Sequence, residues 1–424
     1  MHNEKERKLF IDLFEKHLND TLEWLAALAP GEGGGVTRLL YTDSWLRTQR
    51  ELKARMERAG LSAHFDEAGN LYGRLEGKAS SLSSILTGSH IDTVVDGGKY
   101  DGAYGVAAGL VALEYLLKRY GRPKRTLELV SLCEEEGSRF PLAYWGSGSI
   151  AGLRSFAQIA DMQDSDGIGF EEAMRGCGFG QESGHKECRR SDIGAYIELH
   201  IEQGAVLESE GLAIGVVEAI AGQRRLNVTV TGEANHAGTT PMLMRRDALE
   251  GASAMMLELR QEAMRRGAPL VATVGKLKVQ PNVPNVVPGR ASFTVDIRHS
   301  DEAALAGFAD WLRGAFGQLA KERGLDVESE EWFREKPVPM HDGLKRSMDA
   351  ICGDFGLASK RMVSGAGHDG QMFGHICPTA MLFVPSRGGI SHSPQEYTPP
   401  RELAAGALVL TELLYKLGYE GEEI

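Results

Sequence analysis

The stretch Thr87–Val94, TGSHIDTV, closes an apolar strand pattern and is followed by the glycine-rich run Gly97–Gly102, GGKYDG. Together the two runs place His90 and Asp101 in one loop. Imidazole nitrogen and carboxylate oxygen are donors that Zn²⁺, Mn²⁺ or Co²⁺ accept, and α/β proteins place reactive groups in loops at strand ends. A histidine and an aspartate beside a turn are also ordinary hydrogen-bonding partners, so a metal site requires further ligands.

A second apolar strand runs directly into a group of carboxylates. The pattern over Thr126–Val130 predicts a buried strand, and Glu134, Glu135 and Glu136 follow it closely. Adjacent side chains on an extended backbone point to opposite sides, so Glu135 and Glu136 cannot easily do the same job. One can bind metal while the other handles a proton. A solvated acidic turn is the alternative, but an apolar strand is a poor place for one.

Two further histidines complete the candidate ligand set. His200 lies at the end of the apolar segment that begins at Tyr196, and His392 follows the small residues around Gly388 and Gly389. Together with His90, Asp101 and a glutamate they form a mixed nitrogen and oxygen set, which accepts several divalent ions.

Length, charge and cysteine content limit the class of protein. A chain of 424 residues exceeds one ordinary core, so two domains are expected. A formal net charge of −12 argues against nucleic acid or anionic membrane as a partner. The charged amino terminus lacks the pattern of a signal peptide, and five irregularly spaced cysteines fit reduced thiols, so a cytoplasmic location is expected.

The first part of the chain has the pattern of an α/β domain. Strands at Ser84–Gly88 and Thr126–Leu132 flank a helical pattern at Gly105–Lys118. Strands separated by helices predict a parallel or mixed sheet flanked by helices, with the candidate ligands at strand ends.

The pattern changes between about residues 215 and 333. Strands and helices there follow in the order β-α-β-β-α-β, which predicts a smaller ferredoxin-like α+β domain. Candidate ligands lie on both sides of it, so it is predicted to be inserted into the metal-binding domain. The expected division is 1–214 and 334–424 for the catalytic domain and 215–333 for the inserted one.

Taken together, the candidate ligands resemble those of the dinuclear amidohydrolase branch of the aminoacylase and carboxypeptidase-like metallopeptidase superfamily. The resemblance spans nearly the whole chain. Within that branch it is nearest to the allantoate amidohydrolases (allantoate deiminases), on the phrases Gly35–Tyr41, Glu134–Phe140 with Tyr144–Ser147, and His236–Met242. It implies hydrolysis of the ureido C–N bond of allantoate, giving ureidoglycine, ammonia and carbon dioxide in purine nitrogen catabolism. N-carbamoyl-L-amino acid hydrolase and β-ureidopropionase are the alternatives, and an aminoacylase or peptidase is a more distant one.

The resemblance also implies a role for each ligand. Asp101 would bridge two divalent metal ions per subunit (Mn²⁺, Zn²⁺ or Co²⁺), with His90 and His200 on one ion and Glu136 and His392 on the other. Glu135 would be the general base. Peptidases of the superfamily have a carboxylate at the position of His200, so this histidine favours the ureido and carbamoyl amidases. The resemblance also implies that Asp92 orients the His90 ring, as metal-bound histidines usually require.

Further residues are assigned by the same resemblance. His236, from the inserted domain, would polarise the scissile carbonyl, in its own subunit or across a homodimer in which this domain serves for dimerisation and as a lid. Asn285 and Arg298 would hold the substrate carboxylate. Gln203, His368 and the Gly388 and Gly389 amides would line the pocket. From the residues alone, a surface charge at a strand end is the better interpretation of Arg298, and a turn residue that of Asn285. His236 could equally be a loop histidine with one hydrogen bond, and a tight turn would also explain the small residues around His368.

Overall fold

The computed structural model describes residues 4–79, 81–180 and 188–424. The helices are α1 (Glu4–Ala27), α2 (Asp43–Arg58), α3 (Ala103–Tyr120), α4 (Trp145–Ala151), α5 (Phe170–Gly176), α6 (Val206–Glu210), α7 (Ala248–Arg266), α8 (Glu302–Glu322), α9 (Asp342–Asp354), α10 (Gly370–Phe373) and α11 (Pro400–Tyr415). The strands are β1 (Ser62–Phe65), β2 (Leu71–Leu75), β3 (Ser84–His90), β4 (Leu127–Leu132), β5 (Ile193–Ile201), β6 (Ile214–Ile220), β7 (Gly222–Thr231), β8 (Asn235–His236), β9 (Val271–Gln280), β10 (Val286–Val287), β11 (Arg290–His299), β12 (Asp326–Glu335), β13 (Val338–Pro339), β14 (Ser359–Ser364) and β15 (Thr379–Val384). Among the described helices, none combines the length and apolar character needed to cross a membrane.

The chain divides into two compact units. The first unit runs up to Glu218 and resumes over Met340–Met362 and Ala366–Ile424, and the second comprises Ala219–Pro339 with Val363–Gly365. Each unit has its own hydrophobic core.

The first unit is built on a mixed sheet flanked by helices, as predicted. Its strands lie in the order β1-β2-β4-β3-β5-β15-β6, and β14 also pairs with β6. The pairs β3 with β4, β3 with β5 and β15 with β5 are parallel. Strands β3, β4 and β15 are buried at every residue, which is why they read as continuous apolar runs rather than as alternating patterns.

The parallel strands of the first unit deliver the candidate ligands to one edge of the sheet. Strand β3 ends at His90, β4 ends three residues before Glu135, and β5 carries His200 next to its last residue. The loop after β15 carries His392. Because carboxyl ends of parallel strands meet at the same edge, residues far apart in sequence come together there.

The second unit is a four-stranded antiparallel sheet in the order β12-β7-β11-β9. Helices α7 and α8 pack on one face, against the residues that alternate inward along β7 and β11. The elements follow in the order β7-α7-β9-β11-α8-β12, with a short hairpin of β8 and β10 in addition. The opposite face of the sheet carries polar and partly exposed side chains.

Candidate metal centre and active site

The strand-end histidines His90 and His200 each present one ring nitrogen as a possible ligand. The Nδ1 atom of His90 lies 3.0 Å from the carbonyl oxygen of Asp92, and Nδ1 of His200 lies 2.9 Å from that of Ile201. A carbonyl can only accept, so in both rings Nδ1 carries a proton. Nε2 is therefore the nitrogen that a metal ion would bind, once any proton on it is released.

Asp101 stands between the candidate ligands. Its Oδ1 atom lies 3.1 Å from His200 Nε2 and 3.8 Å from His90 Nε2, whereas Oδ2 lies 3.2 Å from His392 Nε2. The Oε1 atom of Glu136 lies 3.5 Å from the same His392 nitrogen. Two groups suited to a metal ion result, one of His90, Asp101 and His200 and the other of Asp101, Glu136 and His392, and they share Asp101.

The backbone requires a glycine directly after Asp101, at position 102. Its φ is +61°, in the left-handed region, and a Cβ atom there would lie 2.4 Å from Nε2 of His90. Only glycine lets the chain turn into α3 beside the histidine.

Glu135 lies beside the first group without belonging to it. It is nearly buried, and its Oε2 atom lies 3.9 Å from His90 Nε2. Burial, together with the charge of Glu136, raises the pKa of Glu135 well above that of an ordinary glutamate. A carboxylate that holds a proton this readily has the affinity that a general base needs.

The charges of the candidate ligands compensate one another. Burial alone would raise the pKa of Asp101, but hydrogen bonds to His200 and His392 hold it well below its usual range. Burial lowers the pKa of His200, yet Asp101 outweighs this effect and raises it to about 9. The hydrogen bond to Asp101 likewise raises the pKa of His392 to about 9, and burial with the charge of Asp101 raises that of Glu136 to about 7.

The donor set fits divalent metal ions. Three imidazoles and several carboxylates converge in a site that is buried around His90, Asp101 and His200 and open at His392, and the buried Oδ1 of Asp92 and Oδ2 of Asp369 have no hydrogen-bond partner among the described residues. Burying this many carboxylates is costly unless cations compensate them. Nitrogen and oxygen donors of this kind suit Zn²⁺, Mn²⁺ and Co²⁺.

Two residues expected around the metals have contacts that differ from the expected ones. The Asp92 carboxylate was expected to orient His90, but its Oδ1 lies 3.8 Å from Nδ1, and the main-chain carbonyl of Asp92 makes the hydrogen bond instead. The Oδ2 atom of Asp92 accepts from the Glu136 amide at 3.2 Å. Gln203 donates from Nε2 to Oδ2 of Asp101 at 2.8 Å, so it orients the shared carboxylate.

Three expected pocket residues are held by the first unit itself. The Gly388 amide donates to Glu208 Oε2 at 2.6 Å, and the Gly389 amide donates to the Ser386 carbonyl at 3.0 Å. His368 is buried, with its ring centroid 4.7 Å from that of His200. Burial and the neighbouring His200 lower the pKa of His368 well below its usual value, so this ring is neutral.

His236, Asn285 and Arg298 lie in the second unit. Nδ1 of the exposed His236 accepts from the amides of Gly238 at 3.0 Å and Thr239 at 3.2 Å. The ring proton is therefore on Nε2, which is a donor. The Asn285 carbonyl accepts from the amide of Ala237, so it supports the same loop.

The guanidinium of Arg298 is fixed in orientation. Its Nε donates to Oδ1 of Asp296 at 3.0 Å, and Nη1 donates to the Gly365 carbonyl at 2.6 Å. Each terminal nitrogen keeps a further N–H for a ligand.

Sequence reasoning missed Glu396, which connects two ligand-bearing loops. This buried side chain accepts from the amides of Tyr100 at 2.9 Å and Asp101 at 3.1 Å through Oε1. Its Oε2 accepts from Ser391 Oγ at 2.8 Å, next to His392. Its position four residues after His392 was the only available signal, and it is a weak one.

A buried pair of acids next to the candidate metal ligands was also missed. Glu198 accepts from Ser89 Oγ at 2.8 Å and from the Gly370 amide at 2.9 Å, and Asp369 accepts from Ser147 Oγ at 2.5 Å. Burial and the charge of Glu198 raise the pKa of Asp369 to about 8. A glutamate inside the apolar strand β5 was the signal that could have revealed the pair.

Comparison with known proteins places this geometry in a family. Residues 86–416 match the model of peptidase family M20/M25/M40. The chain belongs to this family. An allantoate amidohydrolase of Bacillus subtilis (strain 168) is 48% identical over 402 residues, covering 95% of this chain and 97% of that protein. One of Escherichia coli (strain K12) is 46% identical over 407 residues, covering 96% and 99%.

A solved structure supports the same family assignment. A hydantoinase/carbamoylase family amidase from Burkholderia multivorans superposes with a TM-score of 0.90 at 36% identity, covering 94% of this chain and 97% of that one. The family and the mixed α/β fold are thereby established, and the resemblance read from the ligand pattern is confirmed.

Proposed function

We propose that the protein hydrolyses the ureido C–N bond of allantoate, giving ureidoglycine, ammonia and carbon dioxide. The observation that carries the reaction type is the pair of ligand groups that share Asp101, with the buried carboxyl of Glu135 beside them. The substrate is supported by two relatives of near-equal length, both named allantoate amidohydrolase.

Two divalent ions would be held by this chain, one by His90, Asp101 and His200 and the other by Asp101, Glu136 and His392. When bound, such a pair supplies a nucleophile at neutral pH and polarises the substrate carbonyl. The protein contributes the orientation of the ligands, through the carbonyl partners of His90 and His200 and through Gln203 on Asp101.

Glu135 would move the proton. Its raised pKa lets it accept a proton from the attacking water and return it to the leaving nitrogen. General base catalysis of this kind contributes about 10²- to 10⁴-fold in rate. Glu136, by contrast, lies next to His392 and would belong to the ligand set.

His236 would stabilise the oxyanion that develops on the carbonyl oxygen. The two amides on Nδ1 fix its ring and leave the Nε2 proton as the donor. One preorganised donor to an oxyanion contributes about 3–4 kcal/mol.

Arg298 and Asn285 would bind the substrate carboxylate. Because Asp296 and Gly365 already fix the guanidinium, little side-chain entropy is lost when a carboxylate binds to its remaining N–H groups. In this arrangement the second unit supplies the carboxylate-binding residues and the oxyanion donor, and the first unit supplies the metal ligands and the base.

The second candidate substrate is an N-carbamoyl-L-amino acid. It is supported by the superposition on a hydantoinase/carbamoylase family amidase. It would use the same metals, the same base and the same arginine, so the metal centre does not distinguish the two substrates.

The test is ammonia release by the purified, Mn²⁺-loaded enzyme with allantoate and with a panel of N-carbamoyl-L-amino acids. A higher kcat/KM for allantoate is the expected result. Preference for a carbamoyl amino acid would reassign the substrate and leave the metal centre in place. Activity on neither, in metal-loaded protein, would overturn the proposed function.

A further inference from the structure

The second unit contains a cavity of about 550 Å³ on the face of its sheet opposite to the helices. Strands β7, β9, β11 and β12 all contribute to its wall. A volume of this size fits a small organic molecule.

The cavity is positively charged although the chain is acidic. Its charged lining residues are Arg225, Lys276 and Arg298, against the single carboxylate of Asp296, which leaves an excess of two positive charges. The whole chain has a net charge of −12. A local field of this sign, in a concave site, attracts small anions.

Arg225 retains most of its hydrogen-bonding capacity. Its Nε donates to Oδ2 of Asp296 at 3.0 Å, and this bond fixes the plane of the guanidinium. Its two terminal nitrogens have no hydrogen-bond partner among the residues that the structure describes. An arginine held by Nε alone presents a planar fork that matches a carboxylate with two parallel bonds.

Lys276 and Trp332 complete the wall. Lys276 is exposed and has no ion pair within the described ranges, while its amide donates to Thr294 Oγ1 at 3.1 Å. The Trp332 side chain is 49% exposed, and the Arg225 guanidinium lies 5.6 Å from its ring centroid. The cavity therefore combines two cationic side chains, Arg225 and Lys276, with the flat aromatic surface of Trp332.

We infer that this cavity binds a small organic carboxylate with a planar substituent. The carboxylate receives the fork of Arg225 and the ammonium of Lys276, and the planar group lies against Trp332. Arg298, which the proposed function assigns to the substrate carboxylate, lines the same cavity, so the inference rests on that function where the ligand is the substrate; it goes beyond it in assigning a binding role to Arg225, Lys276 and Trp332. The ligand is either the substrate or product of the reaction or an unrelated carboxylate of the same chemistry.

The test is a fluorescence and calorimetric titration of the metal-loaded enzyme with oxamate, which has a carboxylate and a planar amide. Oxamide, its neutral counterpart, is the control ligand. Oxamate is expected to change the tryptophan emission, and this change is expected to vanish in Trp332→Phe while calorimetric binding persists in weaker form. Oxamide is expected to give no change.

Substitutions that alter the cationic side chains show whether oxamate binds in this cavity. Arg225→Gln and Arg225→Lys are expected to raise the Kd for oxamate by about ten-fold, because both remove the bidentate fork. Lys276→Gln is expected to raise it about three-fold, and Lys278→Gln, the same change on the same strand outside the cavity lining, less than about two-fold. The inference is overturned if oxamate binding is absent, is insensitive to Arg225 and Lys276, or is matched by inorganic phosphate.

The source of the ligand is found by repeating the titration with allantoate on metal-loaded Glu135→Gln. An emission change that depends on Trp332 means that the site takes the substrate, whereas a response to oxamate alone assigns it to another carboxylate. Both results support the cavity as a site. Neither depends on turnover, so failure of the proposed function is detected separately, by the ammonia assay.

Discussion

At the scale of single residues, Glu135 and Glu136 are adjacent in sequence but lie in different surroundings. Glu136 lies 3.5 Å from His392 Nε2, and Glu135 lies outside both ligand groups. We expect Glu135→Gln to lower kcat by about 10²- to 10⁴-fold, because the amide cannot accept the proton. Metal content, measured by elemental analysis, should remain that of the wild type.

Glu136→Gln is the matched control for this prediction. The substitution is chemically identical and one residue away, but it weakens a ligand, so metal content should fall together with activity. Equal metal loss in both variants would contradict the separation of roles.

Protonation of the ligands gives a second prediction at this scale. Without metal, His200 and His392 have pKa values of about 9 and Glu136 one of about 7, so these groups carry protons at pH 6. Metal binding must release those protons, and metal affinity should therefore rise as pH increases from 6 towards 9. Calorimetric titration of metal-depleted protein with Mn²⁺, in buffers of different ionisation enthalpy, measures both the affinity and the protons released. An affinity independent of pH would contradict these protonation states.

The candidate ligands that the structure brings together could be selected from the sequence because each lies at the end of an apolar strand or in a glycine-rich loop. Glu396 could not, since its partners are the amides of residues 296 and 295 positions earlier. Main-chain contacts over such a separation leave no local pattern. Asp92 differs for another reason: its main-chain carbonyl, two residues from His90, makes the hydrogen bond to the ring, and a main-chain contact does not depend on the side chain at that position.

At the scale of elements, Glu396 joins the loop before α3 to the loop after β15. We expect Glu396→Ala to lower metal affinity by about 10- to 100-fold, as loss of support behind a ligand typically does. Glu396→Gln keeps an acceptor for the two amides and should lose less. The readout is the rise in Tm on adding Mn²⁺, measured for both variants beside the wild type. An unchanged rise in Glu396→Ala would show that the two loops hold their positions without it.

The sequence predicted the interior strands and helix of the first unit, but it did not predict the short elements at the edges. Strands β3 and β4 and helix α3 lie close to their predicted ranges, because buried runs and helical periodicity are local signals. The short strands β13 and β14 and the four-residue helix α10 were not predicted. Such elements exist only because neighbouring strands and loops complete their hydrogen bonds.

At the scale of the whole molecule, the residues proposed for one reaction are divided between two units. The metal ligands and Glu135 belong to the first unit, and His236 and Arg298 belong to the second. Sequence order could not show whether His236 serves its own subunit or a partner, because that depends on assembly. We propose that the second unit mediates a homodimer and that His236 acts in the partner's site.

A mixing experiment tests this proposal. Glu135→Gln and His236→Ala are each expected to be inactive alone, since one lacks the base and the other the oxyanion donor. In a symmetric dimer that shares residues across the interface, a mixed dimer contains one site with both groups intact. An equal mixture at full exchange should then recover about a quarter of wild-type ammonia release, since half of the dimers are mixed and each has one working site of two. Exchange is verified by co-purification of differently tagged copies. Mixed dimers without activity would place His236 in its own subunit's site, because each mixed dimer would then lack one essential group in both sites.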